Sequence, residues 1–194
     1  MTFSPELEVK MRQSFKQFNK FMMLMWRLGL GPWINIWPEG IGRIMVVTHK
    51  GRKTGLRRQT PVNYTIIDGD IYCTAGFGKG ADWYKNMLKD PNVEIWLPDG
   101  WWAGIAEDIS DVEDRNILMR KVLIASGFAA PMFGVDPKKL SEAALAKATE
   151  TYRLVRIRRT EARTGSDGPG DLWWVWPLAT FLLIPLAFGR RRKR

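Results

Sequence analysis

Short runs rich in apolar and β-branched residues occur between residues 43 and 109, and one of them alternates apolar and polar residues with a period of two, which predicts β-strands there. The clearest run places Val93, Ile95 and Leu97 on one face of a strand. An Asp-Gly pair at residues 68–69 and a Pro-Asp-Gly triplet at residues 98–100 are hairpin signals between such runs. The predicted strands are residues 43–49, 58–67, 70–75, 92–97, 101–109 and 152–158.

Helical periodicity is found before and between these runs. Residues 4–28 place Phe15, Phe18, Met22 and Met25 on one stripe, which predicts an amphipathic helix with a basic opposite face. Such a helix lies in a membrane interface or packs on its own domain, and the pattern does not separate the two. Shorter helices are predicted at residues 81–89, 111–125 and 137–150. About six strands with helices at the margins predict an α+β fold built on a small, mostly antiparallel barrel.

The C-terminal part of the chain differs in composition. Residues 160–171 are rich in Gly, Ser and Asp and are predicted to be a linker, and residues 172–189 carry no charge. This apolar length is at the lower limit for a transmembrane helix, so a membrane span and an interfacial segment both stay open. We divide the chain into an amphipathic helix and loop (1–39), a barrel domain (40–159), a linker (160–171) and a hydrophobic segment with a basic tail (172–194).

The distribution of charge and of tryptophan residues indicates which partners the chain has. The net charge is +10, and five of the positive residues form the tail at 190–194. Six of the ten tryptophans lie in or near the two apolar segments, as is typical of membrane interfaces: Trp26, Trp33, Trp37, Trp173, Trp174 and Trp176. We therefore expect membrane lipid as a partner and a location on the cytoplasmic face of the cell membrane. Nucleic acid is not expected, because the aromatic residues do not interleave with Lys and Arg.

The chain has one cysteine and one histidine. They are too few for an internal disulfide or a Cys/His metal site, so no metal is expected. Cys73 lies in a predicted strand and is expected to be a buried core residue. His49, at a strand end, is expected to be a hydrogen-bonded structural residue rather than a functional one.

Residues 48–61, THKGRKTGLRRQTP, form a basic, glycine-containing loop between two predicted strands. Glycines let backbone N–H groups approach an anion, while Arg, Lys and Thr supply charge and a hydroxyl. The spacing is neither that of a Walker loop nor that of a Rossmann turn. The loop therefore predicts an anion site, with a solvated hairpin tip as the alternative.

A second glycine-rich loop, GFGKG at residues 76–80, is followed by the motif DWYKN. Together, GRKTGLRRQTP (51–61) and GFGKGADWYKNMLKDPNV (76–93) resemble the deazaflavin-dependent nitroreductase family over about residues 40–159. The resemblance implies a split β-barrel of the flavin- and deazaflavin-binding superfamily. It also implies binding of coenzyme F420, a deazaflavin that carries a phosphate and an oligoglutamate tail.

The family's binding residues map onto three parts of this chain. The basic loop would hold the phosphate and its surroundings, the start of the following strand would lie along the ring, and the second loop would approach the ring with its backbone. Trp83 and Tyr84 match the family motif, although packing residues are the alternative for both. The implied cofactor-binding residues are Arg52, Lys53, Thr54, Gly55, Arg58, Pro61, Val62, Asn63, Gly76, Phe77, Gly78, Lys79, Trp83, Tyr84 and Asn86.

The implied reaction is hydride transfer from the reduced deazaflavin to a hydrophobic conjugated acceptor, such as a quinone, an enone or a nitroaromatic compound. Tyrosines line the acceptor pocket of the better-known family members, but the corresponding stretch 126–136 has none. It offers Phe128, Met132 and Phe133 as apolar candidates and no evident proton donor. An FMN-dependent split-barrel reductase and a non-catalytic, membrane-associated cofactor- or lipid-binding protein are the alternatives. The oligomeric state is left open, with a homodimer as one option.

Overall fold

Six antiparallel strands close into a barrel in the order β1-β2-β3-β6-β5-β4. The computed structural model describes residues 5–38 and 40–189, with side chains described for residues 13–38 and 40–184. The strands are β1 (Ile44–Lys50), β2 (Arg57–Ile67), β3 (Asp70–Ala75), β4 (Asn92–Leu97), β5 (Gly100–Asp108) and β6 (Arg153–Ala162). The predicted α+β fold with a mostly antiparallel barrel is confirmed.

The alternating pattern of the strands decides which side chains fill the barrel. In β1, Met45 and Val47 point into the core, whereas Val46 packs outside with α1. In β6, Val155 and Ile157 are inside, while Leu154 belongs to a second apolar cluster outside. β1 and β6 therefore each stabilise two layers, because their two faces are buried against different partners.

The helices lie around this barrel. They are α1 (Pro5–Arg27), α2 (Gly31–Ile34), α3 (Asp82–Lys89), α4 (Arg115–Ala125), α5 (Ala129–Met132), α6 (Glu142–Ala148) and α7 (Val175–Gly189). The second apolar cluster joins α4 and α6 to the outer faces of β3 and β6 through Met119, Val122, Leu145 and Leu154. This layer positions α4 and the turn before β6 beside one rim of the barrel.

Two helices are shorter than predicted, and two one-turn helices were not predicted. The helix predicted at 111–125 begins at Arg115, and the one predicted at 137–150 spans Glu142–Ala148. Ser141 caps the latter by accepting a hydrogen bond from the Ala144 N–H at 3.3 Å, which fixes its start. Helices as short as α2 and α5 contain too few residues to produce a periodic pattern.

The C-terminal half of α1 packs on its own barrel. Trp26 is fully buried against Val46 and Trp96, and its ring also lies against the backbone of Gly31, where a Cβ atom would be 2.2 Å from the indole. The sequence left open whether this helix lies in a membrane interface or packs on its own domain. For the described side chains of its C-terminal half, the structure shows packing on the domain. Residue 4, the predicted start, lies outside the described residues.

Residues 163–172, which we call the C-terminal strap, return from β6 to the end of α1. The strap starts with the Arg163 N–H donating to the Trp101 carbonyl at 2.7 Å, and its Leu172 N–H donates to the Arg27 carbonyl at 2.8 Å. The Arg27 guanidinium also binds the Asp171 carboxylate with contacts of 2.7–3.0 Å. The segment predicted as a linker therefore begins inside β6 and continues as this ordered strap.

The strap leads into α7, an apolar helix of 15 residues. The preceding residues 172–174 form turns instead of extending the helix, because the Val175 N–H bonds back to the Leu172 carbonyl. Between residues 5 and 189, leaving out 39, no helix combines the length and apolarity that crossing a bilayer requires. The transmembrane helix considered from the sequence is therefore not found there. The basic tail, residues 190–194, lies outside the described residues.

Replacing Trp26 by Ala is expected to destabilise the protein by about 3–5 kcal/mol, because it empties the space between α1 and the barrel. Urea unfolding followed by circular dichroism measures the change. Trp173→Ala is the matched control, since that side chain is 64% exposed and its loss should change stability by less than about 0.5 kcal/mol. Equal effects of the two substitutions would contradict the proposed role of Trp26.

Candidate functional site

The basic loop between β1 and β2, residues 51–56, is closed by its own backbone. The Gly51 N–H donates to the Leu56 carbonyl at 2.8 Å, and the Gly55 N–H donates to the Gly51 carbonyl at 2.7 Å. Gly55 has φ of +68°, a conformation that favours glycine. The backbone around the loop is thus fixed before any ligand binds, while the Thr54 side chain stays exposed.

Arg52 ties this loop to α3. The Asn86 side-chain oxygen accepts from the Arg52 backbone N–H at 3.1 Å and from its Nη1 at 2.9 Å. Nη2 of the same guanidinium binds the Asp82 carboxylate at 2.9 Å, and this hydrogen bond lowers the pKa of Asp82. Arg52 therefore has two protein partners already. Its predicted contact with a phosphate stays a prediction.

Asn86 also fixes the state of His49, which is buried at the end of β1. Because the Asn86 oxygen accepts from Arg52, its Nδ2 faces His49 Nδ1, at 3.2 Å, and donates to it. The proton of the neutral imidazole is then on Nε2, which lies 3.2 Å from Thr60 Oγ1 and donates to it. Burial and the nearby charge of Arg58 lower the pKa of His49 to about 4. His49 is thus the hydrogen-bonded structural histidine that the sequence predicted.

The remaining cations of the basic stretch 48–61 differ in whether they form salt bridges. Arg57 binds the Glu94 carboxylate at 2.7 Å and lies 3.7 Å from that of Asp167. Among the described residues, neither Lys53 nor Arg58 forms a salt bridge, and both are exposed. Lys50, the last residue of β1, is likewise exposed and forms no salt bridge among the described residues, so the positive charge available to an anionic ligand lies on Lys50, Lys53 and Arg58.

A cavity of about 550 Å³ opens beside β2, close to the partners of the basic loop. Thr60, which binds His49, and Asp82, which binds Arg52, both line it. The volume is typical of a site for a small molecule. Its other lining residues are Phe15, Lys16, Phe18, Asn19, Ile44, Pro61, Val62, Asn63, Thr74, Gly76, Phe77, Gly80, Ala81, Trp83, Leu123, Ser126, Ala129, Ala130, Phe133 and Tyr152.

The second glycine-rich loop forms one edge of this cavity. Gly76 and Phe77 line it, whereas Gly78 and Lys79 do not. Gly78 has φ of +55°, and a Cβ atom there would lie 2.1 Å from the Thr151 carbonyl oxygen. Only glycine fits at this position, because the loop packs directly on the turn before β6.

Of the residues predicted to lie near the cofactor ring, most line the cavity and Tyr84 does not. Pro61, Val62 and Asn63 line the cavity together with Trp83. Tyr84 lies away from it: its hydroxyl donates to the Asp108 carboxylate at 2.5 Å, and burial together with this bond raises its pKa to about 12. Tyr84 thus connects α3 to β5, in agreement with the alternative that it is a packing residue.

The three apolar acceptor-pocket candidates are divided in the same way. Phe133 lines the cavity, but Phe128 and Met132 do not. Phe128 instead borders a separate groove next to β2, and Met132 is exposed. The difference arises because α5 makes one turn here, so residues close in sequence point in different directions.

Sequence reasoning missed two walls of the cavity. The ring of Phe15 in α1 stacks on that of Phe133, with ring centres 5.1 Å apart, and meets Phe77 edge-on at 6.0 Å. The apolar stripe of this helix was a visible signal, but it did not reveal which surface the helix covers. Tyr152 follows α6 and also lines the cavity. It lies outside both motifs, so nothing in its sequence context marked it.

The chain is similar to a known protein family and to several solved structures. The sequence model of the family described as F420H(2)-dependent quinone reductase matches residues 32–136, just over half of the chain. Among solved structures, an F420-H2 dependent reductase is 21% identical, covers 59% of this chain and 91% of its own, and has a TM-score of 0.41. An FAD-binding protein from Mesorhizobium loti is 16% identical, with coverages of 65% and 87% and a TM-score of 0.41. A heme storage protein from Vibrio cholerae is 10% identical, with coverages of 67% and 87% and a TM-score of 0.44.

His49 makes stability depend on pH. Its pKa is about 4 in the folded protein against 6.5 as the ordinary value, so unfolding takes up a proton between these limits. The stability that neutral His49 contributes is complete above pH 6.5 and is lost as the pH falls towards 4, by up to about 3 kcal/mol.

We expect His49→Gln to flatten the dependence of unfolding free energy on pH between these limits, measured by urea unfolding at several pH values. The two proteins share every other titrating group, so the difference between their slopes isolates His49. Parallel slopes would show that His49 is already able to bind a proton in the folded state.

Proposed function

The chain belongs to the F420H(2)-dependent quinone reductase family, and from that premise we propose that it reduces quinones and related hydrophobic conjugated acceptors. Family membership makes the protein an oxidoreductase with coenzyme F420 as its cofactor. Enones and nitroaromatic compounds are acceptors of the same electronic type. The observation that carries the proposal for the acceptor is the cavity, whose walls combine residues of both sequence motifs with an apolar face.

The donor set fits an anionic, ring-containing cofactor. Lys53 and Arg58 are exposed cations without salt bridges among the described residues, and Thr54 adds a hydroxyl on a backbone that is already closed. Charge-assisted contacts of this kind bind phosphate well. We assign the phosphate to these three residues. Arg52 is assigned to positioning the loop, because Asn86 and Asp82 already bind its guanidinium.

Strand β2 connects the two parts of the site. It leaves the basic loop at Arg57 and reaches the cavity at Thr60–Asn63. We propose that the ring lies along Pro61–Asn63, with Gly76 and Phe77 at its edge. When bound in reduced form, the deazaflavin supplies a hydride. The protein's part is to hold the ring and the acceptor together and to keep water away from them.

The apolar wall is the basis for the acceptor class. Phe15, Phe77 and Phe133 contact one another, and Ala129 and Ala130 continue the surface on α5. Such a wall favours a flat, apolar molecule, because a polar one would lose its hydration without gaining partners. The cavity by itself would also accept FMN, which has a similar ring system and a phosphate, so FMN is the second cofactor to be tested.

We propose in addition that the enzyme works at a lipid surface. Large apolar side chains are exposed in and after α2, namely Trp33 and Trp37. Others are exposed just before α7 and within it, namely Trp173 and Phe181. The Trp176 indole N–H donates to the Leu28 carbonyl at 2.9 Å, which brings the two segments together. Tryptophan-rich apolar surfaces favour the membrane interface, and the basic sequence after α7 favours anionic lipid. The homodimer considered from the sequence stays a prediction.

Arg58→Ala is expected to weaken F420 binding by 1.5–3 kcal/mol, roughly 10- to 150-fold, through loss of a charge-assisted contact. A fluorescence titration of the full chain with F420, with FMN in parallel, measures this. Arg57→Ala is the matched control, because Arg57 is paired with Glu94 and should affect binding little. Reduced F420 is then mixed with menadione, and its oxidation tests the reductase activity itself.

Equal losses for the two arginine variants would remove Arg58 from the proposed phosphate site. Binding of FMN but not F420 would keep the site and change the cofactor. F420 binding without oxidation by menadione would contradict the quinone assignment, and nitroaromatic and enone acceptors would then be compared.

The lipid proposal predicts that the full chain floats with phosphatidylcholine vesicles containing phosphatidylglycerol. Exchanging Trp33 and Trp173 for Ser should weaken this binding about tenfold, since two interfacial anchors are lost. Leu88→Ser is the control, because Leu88 is exposed on α3, away from these segments. A protein that stays with the bottom fraction at every lipid composition would contradict the proposal.

A further inference from the structure

Four side chains with a hydroxyl group line the cavity among the described residues, and two of them already donate their proton within the protein. Among the described residues, the side chains with a hydroxyl that line it are Thr60, Thr74, Ser126 and Tyr152. The Ser126 hydroxyl donates to the Val122 carbonyl at 2.8 Å, and the Thr74 hydroxyl donates to the Arg153 carbonyl at 3.0 Å.

Thr60 and Tyr152 are the hydroxyls that keep a proton to donate. Thr60 Oγ1 accepts from His49, so its own proton is free, but an alcohol is a far weaker acid than a phenol. The Tyr152 hydroxyl has no hydrogen-bond partner in the part of the chain that the structure describes. A half-buried phenol that faces a cavity with no protein partner is suited to a ligand.

The turn that carries Tyr152 is held in place from two sides. The Arg115 guanidinium donates to the Thr149 carbonyl at 2.6 Å and to the Tyr152 carbonyl at 3.2 Å. On the other side the turn packs against the second glycine-rich loop: a Cβ atom at Gly76 would lie 4.0 Å from Tyr152 Cζ. The phenol therefore stands beside the loop that we assign to the edge of the ring, at a position fixed by backbone contacts.

Asp82 and Lys16 also line the cavity and are the other possible proton donors. Asp82 is ion-paired with Arg52, which lowers its pKa, so it holds no proton at neutral pH. Lys16 is charged and exposed on α1, where water competes for its protons. Burial raises the pKa of Tyr152, so the phenol keeps its proton at neutral pH. Tyr152 thus combines a retained proton, a fixed position and partial shielding from water.

We propose that Tyr152 donates a hydrogen bond, and then its proton, to the oxygen of the acceptor during reduction. The inference rests on the proposed function and adds the proton donor that the sequence did not reveal. The acceptor gains a hydride with two electrons from the reduced cofactor and a proton from Tyr152. The phenol O–H bond breaks, an O–H bond forms on the product, and the phenolate recovers a proton from water. A donor placed where negative charge develops lowers the barrier.

The test uses the full chain, reduced F420 and menadione. Tyr152→Phe should lower kcat at least tenfold while leaving the Kd for F420 and the Tm unchanged, since the ring is kept. Tyr72→Phe is the matched control: Tyr72 belongs to the same outer apolar cluster but does not line the cavity, and its variant should keep the full kcat. Lys16→Ala removes the competing acid in the cavity wall, and its loss of kcat should be smaller than that of Tyr152→Phe.

Each outcome decides between the claims. Turnover by the wild type with an unchanged kcat in Tyr152→Phe overturns the inference and leaves the proposed function standing. A larger loss in Lys16→Ala than in Tyr152→Phe instead assigns the proton to the lysine and also overturns it. If the wild type binds F420 but does not oxidise the reduced form with menadione, the quinone assignment fails and this inference fails with it. A loss of kcat that is greatest in Tyr152→Phe supports both.

Discussion

The side-chain amide of Asn86 is the group on which the arrangement of the basic loop depends. Its oxygen receives two hydrogen bonds from Arg52, and its nitrogen donates to His49, so one buried side chain joins the loop, the first strand and α3. An amide is suited to this position because it accepts on one atom and donates on the other without carrying charge. A carboxylate would repel the neutral imidazole's unprotonated nitrogen and add a buried charge, and an apolar residue would leave Arg52 and His49 without partners.

This arrangement separates structural charge from charge that is free for a ligand. Arg52 and Arg57 are used within the protein, by α3 and by Glu94, whereas Lys53 and Arg58 carry no salt bridge among the described residues. His49 stays neutral because it is buried and lies near the charge of Arg58, and the Asn86 hydrogen bond selects the tautomer with the proton on Nε2. A run of basic residues that looks uniform in sequence is thus divided into two classes by contacts with α3 for Arg52 and with β4 for Arg57.

The sequence predicted the barrel well because the apolar runs of the strands and the turn signals between them are local properties. The site was only partly predictable. Cavity residues that share a strand or a loop with a motif, such as Pro61 and Gly76, follow from the motif. Arg52 and Asn86 are 34 positions apart, and no local pattern encodes their contact. No local pattern marks Tyr152 as a cavity residue either. The sequence also does not tell that Phe133 lines the cavity and Phe128 does not, because side-chain direction around a one-turn helix depends on packing.

The contact between Arg27 and Asp171 spans 144 positions of the chain. During synthesis, α1 is made well before the strap that holds its C-terminal end. The same helix supplies Phe15 and Phe18 to the cavity. The barrel strands that contact α1 are therefore made before the strap that anchors this helix. Contacts between residues far apart in sequence, such as Arg27 and Asp171, are also slow to form. A nascent chain consequently has its basic loop before the cavity is enclosed by an anchored α1.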